Sequence, residues 1–161
     1  MKKQVIECEF EEYSNASELS DIDKVLFLEA KRISQNAYAP YSGFNVGAAV
    51  RLENGKVILG TNQENIAYPS GLCAERVALF SAHSSYPKQK IESVAIYAYS
   101  KNFIVDEVVS PCGACRQVIA EYEEISKQAI SVIMGSDAGV IKTNGVKQLL
   151  PFRFSSKGLK S

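Results

Sequence analysis

Apolar and polar positions follow a helical period in the first long segment of the chain. Ser20 has the side chain of a helix N-cap, and Asp21 and Asp23 lie in the first turn, where acidic side chains suit the helix dipole. The apolar residues recur at helical spacing: Ile22, Val25, Leu26, Leu28 and Ile33. Because the residue before a proline avoids helical geometry, we predict that this helix ends near Ala39-Pro40.

Shorter apolar runs bounded by turn residues predict a set of strands and helices further along the chain. Asn54-Gly55 is a strong hairpin signal between a strand over 46–52 and its return strand over 56–60. The other predicted segments are an edge strand within 5–13, a loop over 62–72, helices over 73–82 and 112–122, strands over 94–99, 129–134 and 140–142, and a short helix over 146–150.

Helices that alternate with strands after a hairpin predict the fold class. The chain has 161 residues, which suits one compact domain with a substantial core. The pattern favours an α/β protein, a three-layer α/β/α sandwich with a central mixed sheet.

Charge and hydropathy exclude several partners. The chain carries 18 basic and 18 acidic residues and a formal net charge of zero, so it lacks the excess of positive charge typical of proteins that bind long nucleic acids. No apolar stretch is long enough to cross a bilayer, and the basic N-terminus is not followed by an apolar signal region. We therefore expect a cytoplasmic protein with no membrane partner.

Three of the four cysteines lie in motifs that suit a metal. Cys73 precedes Glu75 by two residues, and Cys112 and Cys115 form a Cys-x-x-Cys pair at a second predicted helix start. Helix N-termini favour thiolates, which zinc requires. Three protein ligands leave a fourth position open, as in catalytic zinc sites, and a carboxylate beside that position can act as general acid and base. Cys8 has no such context.

These motifs resemble a known signature. Cys73-Ala74-Glu75 followed by Pro111-Cys112-Gly113-Ala114-Cys115 is similar to the signature of the zinc deaminases, and a cysteine as first ligand is similar to the small homotetrameric cytidine deaminases. The resemblance covers residues 22–156 and includes three further segments: 38–49, 62–68 and 149–154.

The resemblance implies an activity, zinc-dependent hydrolytic deamination of cytidine and deoxycytidine to uridine or deoxyuridine and ammonia, as in pyrimidine salvage. It implies that Cys73, Cys112 and Cys115 ligate one Zn²⁺ per subunit and that Glu75 shuttles protons from the zinc-bound water. It also implies the following substrate contacts: Phe44 with the pyrimidine, Asn62 and Glu64 with the ribose, the Ala74 N–H with the base carbonyl, and Phe154 with the site of a neighbouring subunit.

Arg76 follows the first motif and has a predicted role of its own. Three thiolates around Zn²⁺ leave a net negative centre, which makes the metal a poorer Lewis acid. A permanently charged guanidinium can donate hydrogen bonds to the sulfurs and offset that charge. The resemblance implies the same role, so we predict that Arg76 supports the ligands without binding the metal.

The resemblance also sets domain boundaries and leaves alternatives open. We expect an N-terminal extension over 1–20, a cytidine deaminase-like catalytic domain over 21–156 and a polar tail over 157–161. Leu72 departs from the family, which often has a polar residue before the first cysteine. Phe44 can be an ordinary core aromatic, and Asn62 and Glu64 can be turn or surface residues.

Four alternatives remain open at this stage. A structural zinc site would need a fourth ligand, Cys8 or His83, and a redox Cys-x-x-Cys would leave Glu75 unexplained. A zinc-stabilised binding module would have no open position. A related enzyme would deaminate a larger cytosine nucleoside antibiotic such as blasticidin S, although Asn62 and Glu64 favour a ribose-type sugar.

Overall fold

A six-stranded mixed sheet forms the centre of the molecule in the computed structural model, which describes residues 1–155. Its strands are β1 (Glu11–Tyr13), β2 (Phe44–Leu52), β3 (Val57–Thr61), β4 (Ile91–Ser100), β5 (Ser131–Ser136) and β6 (Gly139–Asn144), in the spatial order β1-β6-β5-β4-β2-β3. Only the β4–β5 pair is parallel within this sheet. The predicted mixed sheet is confirmed.

Helices cover both faces of the sheet: α1 (Asp21–Ser34), α2 (Ala74–Ser85) and α3 (Gly113–Ser126). Phe27 of α1 packs edge-on against Tyr97 of β4, with ring centroids 5.8 Å apart. Ile96, the neighbour of Tyr97, belongs to the other buried cluster, together with residues of α2 and α3. Because successive side chains of a strand point to opposite faces, α1 covers one face and α2 and α3 cover the other. The three-layer prediction is confirmed.

The parallel β4–β5 pair determines where the two cysteine motifs meet. Parallel neighbours need a long crossover connection, and α3 provides it between these strands. The start of α3 therefore lies at the end of β4, beside the start of α2. Cys73 is the N-cap residue of α2 and Cys112 is the N-cap residue of α3.

Three predicted elements differ from the observed ones. The short helix predicted over 146–150 is a single 3₁₀ turn over Val146–Gln148. The first helix begins after Ser20 as predicted but ends at Ser34, before the predicted end near Ala39-Pro40. Its end is set by a long-range contact, because the Tyr38 N–H donates to the Asn62 carbonyl at 3.1 Å and draws the chain out of the helix. The edge strand within 5–13 is only Glu11–Tyr13, the part that pairs with β6.

The predicted domain boundaries fall near the two ends of the chain. Within the predicted extension over 1–20, Leu19 is buried against the cluster that contains α1. The predicted boundary at residue 156 and the tail over 157–161 lie outside the described residues, and the division into domains stays a prediction. No helix in residues 1–155 is both long and apolar enough to span a membrane.

Candidate metal centre and active site

Three cysteine sulfurs converge where α2 and α3 begin. The Cys73 and Cys112 Sγ atoms are 3.8 Å apart, and the Cys112 and Cys115 Sγ atoms are 3.5 Å apart. All three lie within 4.8 Å of one another. Zn–S bonds of about 2.3 Å at tetrahedral angles place sulfurs about 3.8 Å apart, so the residues present fit zinc.

The arrangement of the cysteines argues against a structural zinc site with four protein ligands, one of the alternatives that the sequence allowed. Neither Cys8 nor His83 belongs to the group of possible metal ligands in residues 1–155. His83 lies in the last turn of α2, where its ring packs 5.3 Å from that of Tyr122. The three cysteines therefore offer three ligands, and the described chain adds no fourth cysteine or histidine.

Cys73 is prepared to bind a metal. Hydrogen bonding with Cys115 lowers the pKa of Cys73 to about 5, and the Arg76 guanidinium adds to this shift. The same contact with Cys73, together with burial, raises the pKa of Cys115. Cys73 is therefore the more acidic thiol of this pair, and metal binding has to displace the proton of Cys115.

Arg76 lies against the first sulfur. Its Nη2 atom is 3.7 Å from Cys73 Sγ, and its Nε atom is buried without a hydrogen-bond partner in the described chain. This placement suits a guanidinium that neutralises thiolate charge, and the role of Arg76 at the metal stays a prediction.

Glu75 is almost completely buried, with 4% of its surface exposed, although it is one of the acidic residues. Burial raises the pKa of its carboxyl, and the negative charge of Cys73 raises it further. A carboxyl group whose pKa is moved toward neutrality can both accept and donate a proton at physiological pH. The helix start that carries Cys73 thus also places a buried carboxyl group with a raised pKa beside the sulfurs.

A cavity of about 540 Å³ opens onto the sulfurs. Its walls include Cys73, Cys112 and Glu75 of the metal motifs, and also the predicted substrate contacts Phe44, Asn62 and Glu64. Ala74 and Phe154 do not line it. Ala74 is the first residue of α2 and is fully buried, whereas 71% of the Phe154 surface is exposed.

Asn62 and Glu64 also hold the protein together at this cavity. The Asn62 side chain donates to the Phe44 carbonyl at 2.9 Å and accepts from the Val46 N–H at 2.8 Å. The Glu64 carboxylate accepts from the Tyr41 N–H at 2.9 Å and from both the N–H, at 3.3 Å, and the hydroxyl of Ser42. Burial alone would raise the pKa of Glu64, but these hydrogen bonds hold it below its usual range.

Several residues at the site have no counterpart in the sequence-based prediction. Tyr41, Tyr68 and Ser110 also line the cavity. Phe103 stacks on Phe44, with ring centroids 6.2 Å apart and an interplanar angle of 5°. Ser110 lies two residues before Cys112, so the cysteine motif was a signal that could have identified it. The stack of Phe103 on Phe44 joins segments that are distant in the sequence, and no local spacing could have predicted it.

The comparisons with known proteins agree with this geometry. The family described as the cytidine and deoxycytidylate deaminase zinc-binding region matches residues 20–132. The cytidine deaminase of Sporosarcina psychrophila is 40% identical over 86% of this chain and 95% of its own length. That of Halalkalibacterium halodurans is 39% identical over 84% of this chain and 96% of its own. The crystal structure of the Burkholderia pseudomallei cytidine deaminase matches with a TM-score of 0.68 at 36% identity, covering 81% of this chain and 97% of the other.

Proposed function

Since the chain belongs to the zinc-binding cytidine and deoxycytidylate deaminase family, we propose that it hydrolyses the exocyclic amine of cytidine and deoxycytidine. The products are uridine or deoxyuridine and ammonia. One observation carries this proposal: two of the three clustered sulfurs, those of Cys73 and Cys112, and the buried Glu75 side chain line the same cavity, which is large enough for a nucleoside.

Glu75 moves the protons of the reaction. Zinc held by the three cysteines would supply a nucleophile by lowering the pKa of a water molecule. Glu75 would take one proton from that water and deliver it to N3 of the cytosine ring while the oxygen bonds to C4. It would then transfer the remaining proton of the same oxygen to the amine, so that the C4–N bond breaks and ammonia leaves. The buried position of Glu75 excludes bulk water from these transfers.

Other residues of the cavity wall bind the nucleoside. Phe44 packs against the pyrimidine. The backbone N–H of Ala74, at the buried helix start between the lining residues Cys73 and Glu75, contacts the base carbonyl. Asn62 and Glu64 bind the sugar hydroxyls. Glu64 Oε1 accepts only the Ser42 hydroxyl in the described structure, which supports this role because a carboxylate oxygen can accept a second hydrogen bond.

The cavity favours a nucleoside over its phosphate ester. No lysine or arginine is among the described residues that line it, and Glu64 adds a negative charge at the sugar side. A 5′-phosphate there would have no cationic side chain to pair with and would be repelled by the Glu64 carboxylate. Deoxycytidylate, the other substrate in the family description, is therefore disfavoured for this chain.

Assembly and cellular role belong to the same proposal. We place the enzyme in pyrimidine salvage in the cytoplasm and expect a homotetramer in which Phe154 completes a neighbour's site. The exposed ring of Phe154 supports this arrangement, because its peptide group is fixed by Gln117 while the ring has no partner cluster in the described chain. Mixing inactive Glu75→Gln with Phe154→Ala subunits should restore activity, since each supplies what the other lacks. If the two variants are inactive alone and stay inactive when mixed, the proposed role of Phe154 in a neighbour's site is contradicted.

The substrate is tested by absorbance assays with purified protein and quantified zinc. Wild type should convert cytidine and deoxycytidine. Glu75→Gln should keep its zinc and lose activity by roughly 10³-fold or more, since general acid–base catalysis supplies about 10²–10⁴-fold. Glu121→Gln, an exposed carboxyl on α3, is the control and should match wild type. A zinc-loaded wild type that prefers blasticidin S or deoxycytidylate would overturn the substrate assignment, and an active Glu75→Gln would overturn the mechanism.

A further inference from the structure

Arg116 follows the last cysteine on the first turn of α3, and its side chain makes three hydrogen bonds. Its Nε donates to the Pro111 carbonyl at 2.7 Å, its Nη1 to the Leu149 carbonyl at 2.8 Å and its Nη2 to the Ser110 hydroxyl at 2.9 Å. All three acceptors are neutral oxygens. Each of the three nitrogens of the guanidinium therefore has a separate partner.

Arg116 forms no ion pair within residues 1–155. Its contacts are therefore explained by the planar fork of donors and not by attraction to a carboxylate. A lysine ammonium has one nitrogen and cannot reach three oxygens that lie on different sides of the guanidinium. The site is thus specific for arginine.

The segments that Arg116 joins have separate roles at the site. Ser110 lines the cavity, and Pro111 directly precedes the metal-site residue Cys112. Leu149 begins the C-terminal segment, which we define as residues 149–154. Gln117, the next residue on α3, holds the far end of that segment, because it donates to the Phe154 carbonyl at 2.8 Å and accepts from the Phe154 N–H at 3.2 Å.

We infer that Arg116 is a positioning residue for the metal centre, which fixes the Ser110-Pro111 segment, and with it Cys112 and one wall of the cavity, against the C-terminal segment. This role rests on the proposed function, since it concerns the same site. Arg116 acts through the backbone on either side of Cys112, as the residues around a metal ligand commonly set its orientation. It contacts neither the sulfurs nor the place of the substrate in the described hydrogen bonds.

Arg153 provides a matched control for this inference. It too joins the C-terminal segment to α3, through Glu123 at 3.4 Å and Glu124 at 3.3 Å, but it does not contact the segment before Cys112. Comparing Arg116→Gln with Arg153→Gln therefore separates positioning of the metal site from general anchoring of the C-terminal segment. Arg116→Lys retains the charge and removes the fork.

The test has three readouts. They are the absorption spectrum of the cobalt-substituted protein, the rate of zinc release to a chromogenic chelator, and the kinetic constants kcat and KM. Arg116→Gln should alter the thiolate-to-cobalt absorption bands and speed zinc release, and kcat/KM should fall about 10–100-fold, the usual effect of residues that orient metal ligands. Arg116→Lys should resemble Arg116→Gln. Arg153→Gln should keep the wild-type cobalt spectrum and lie within about threefold of wild-type activity, because partly exposed ion pairs contribute little.

Unchanged cobalt bands and zinc release in folded Arg116→Gln would overturn the inference, and so would equal changes in Arg153→Gln. If Arg116→Gln does not fold, Ser110→Ala removes one acceptor and should shift the cobalt bands in a smaller measure; unchanged bands there would count against the inference. The spectrum and the zinc release do not depend on the substrate. A wild type that fails to deaminate cytidine while these readouts respond would reject the proposed function and leave the positioning role intact.

Discussion

The two walls of the cavity are built in different ways. On the metal side, Cys73, Cys112 and Cys115 occupy the starts of two packed helices, and Cys115 is fully buried. On the sugar side, the exposed Tyr41 and Ser42 belong to a loop that is held by a carboxylate more than 20 residues away in the sequence. In the proposed mechanism, the chemistry therefore lies on rigid elements, and the sugar is recognised by a loop that other residues have to hold in place.

This difference predicts how substitutions behave. On the metal side, one lost ligand removes the ion and all the chemistry that depends on it, so effects should be close to all or none. On the sugar side, several hydrogen bonds and an aromatic stack together support substrate binding. The loss of any one of these contacts should therefore lower activity only in part and should change KM more than kcat.

The largest effect is expected from Cys115→Ser. Loss of the buried ligand should remove most of the zinc and lower kcat/KM by more than about 10³-fold, since the metal contributes several kcal/mol to lowering the barrier. Metal analysis and activity should fall together. Cys8→Ser, at an exposed cysteine outside the metal group, is the control and should retain both. Full zinc content in Cys115→Ser would contradict the expectation that the loss of one ligand on the metal side removes the ion.

Arg76→Gln should have the next largest effect. It removes the guanidinium that helps lower the pKa of Cys73 to about 5, so that pKa should rise and zinc should dissociate at a higher pH on acidification. The Cys73 thiol has to lose its proton to bind zinc, and near neutral pH it should still do so in the variant. Zinc should therefore stay bound at neutral pH while kcat falls about 10–100-fold. Zinc content measured from pH 4 to pH 8, beside kcat, tests this. An unchanged pH profile together with unchanged kcat would remove Arg76 from the metal site.

The metal side was also the part that the sequence could predict. Cys112 and Cys115 are three residues apart at a helix start, and one helical turn brings such residues together whatever the rest of the fold does. The approach of Cys73 followed from the resemblance and from the alternation of helices and strands. The prediction was possible because the information is local.

The sugar side could not be predicted in the same way. The first helix ends early because Tyr38 pairs with the segment at Asn62, and Glu64 holds Ser42 across 22 residues. Such contacts depend on how β2 and the loop after β3 come together in space, and no period or motif encodes them. The helical spacing also gave no indication that Ile22, Val25 and Leu28 stay exposed while Leu26 and Phe27 are buried.

Glu64→Gln tests the sugar side at its most connected residue. The neutral amide keeps the shape but weakens hydrogen bonds to a charged group, which contribute about 1.5–3 kcal/mol, so we expect KM for cytidine to rise roughly tenfold with little change in kcat. Assays with the 2′- and 3′-deoxy analogues in turn should show a smaller mutational effect on the analogue that lacks the hydroxyl bound by Glu64. Equal effects on both analogues would show that Glu64 only holds the loop at Ser42.

The smallest effect is expected from Phe103→Ala. Phe103 does not line the cavity but stacks on Phe44, which does, so the loss of Phe103 should loosen the ring that we propose to pack on the pyrimidine. Offset aromatic pairs contribute about 0.5–1.5 kcal/mol, which corresponds to a rise in KM of roughly two- to tenfold. Ile104→Ala removes the neighbouring, 88% exposed side chain and should leave KM unchanged. A fall in kcat without a change in KM would mean that the stack supports the metal side, and the two walls would then not be independent.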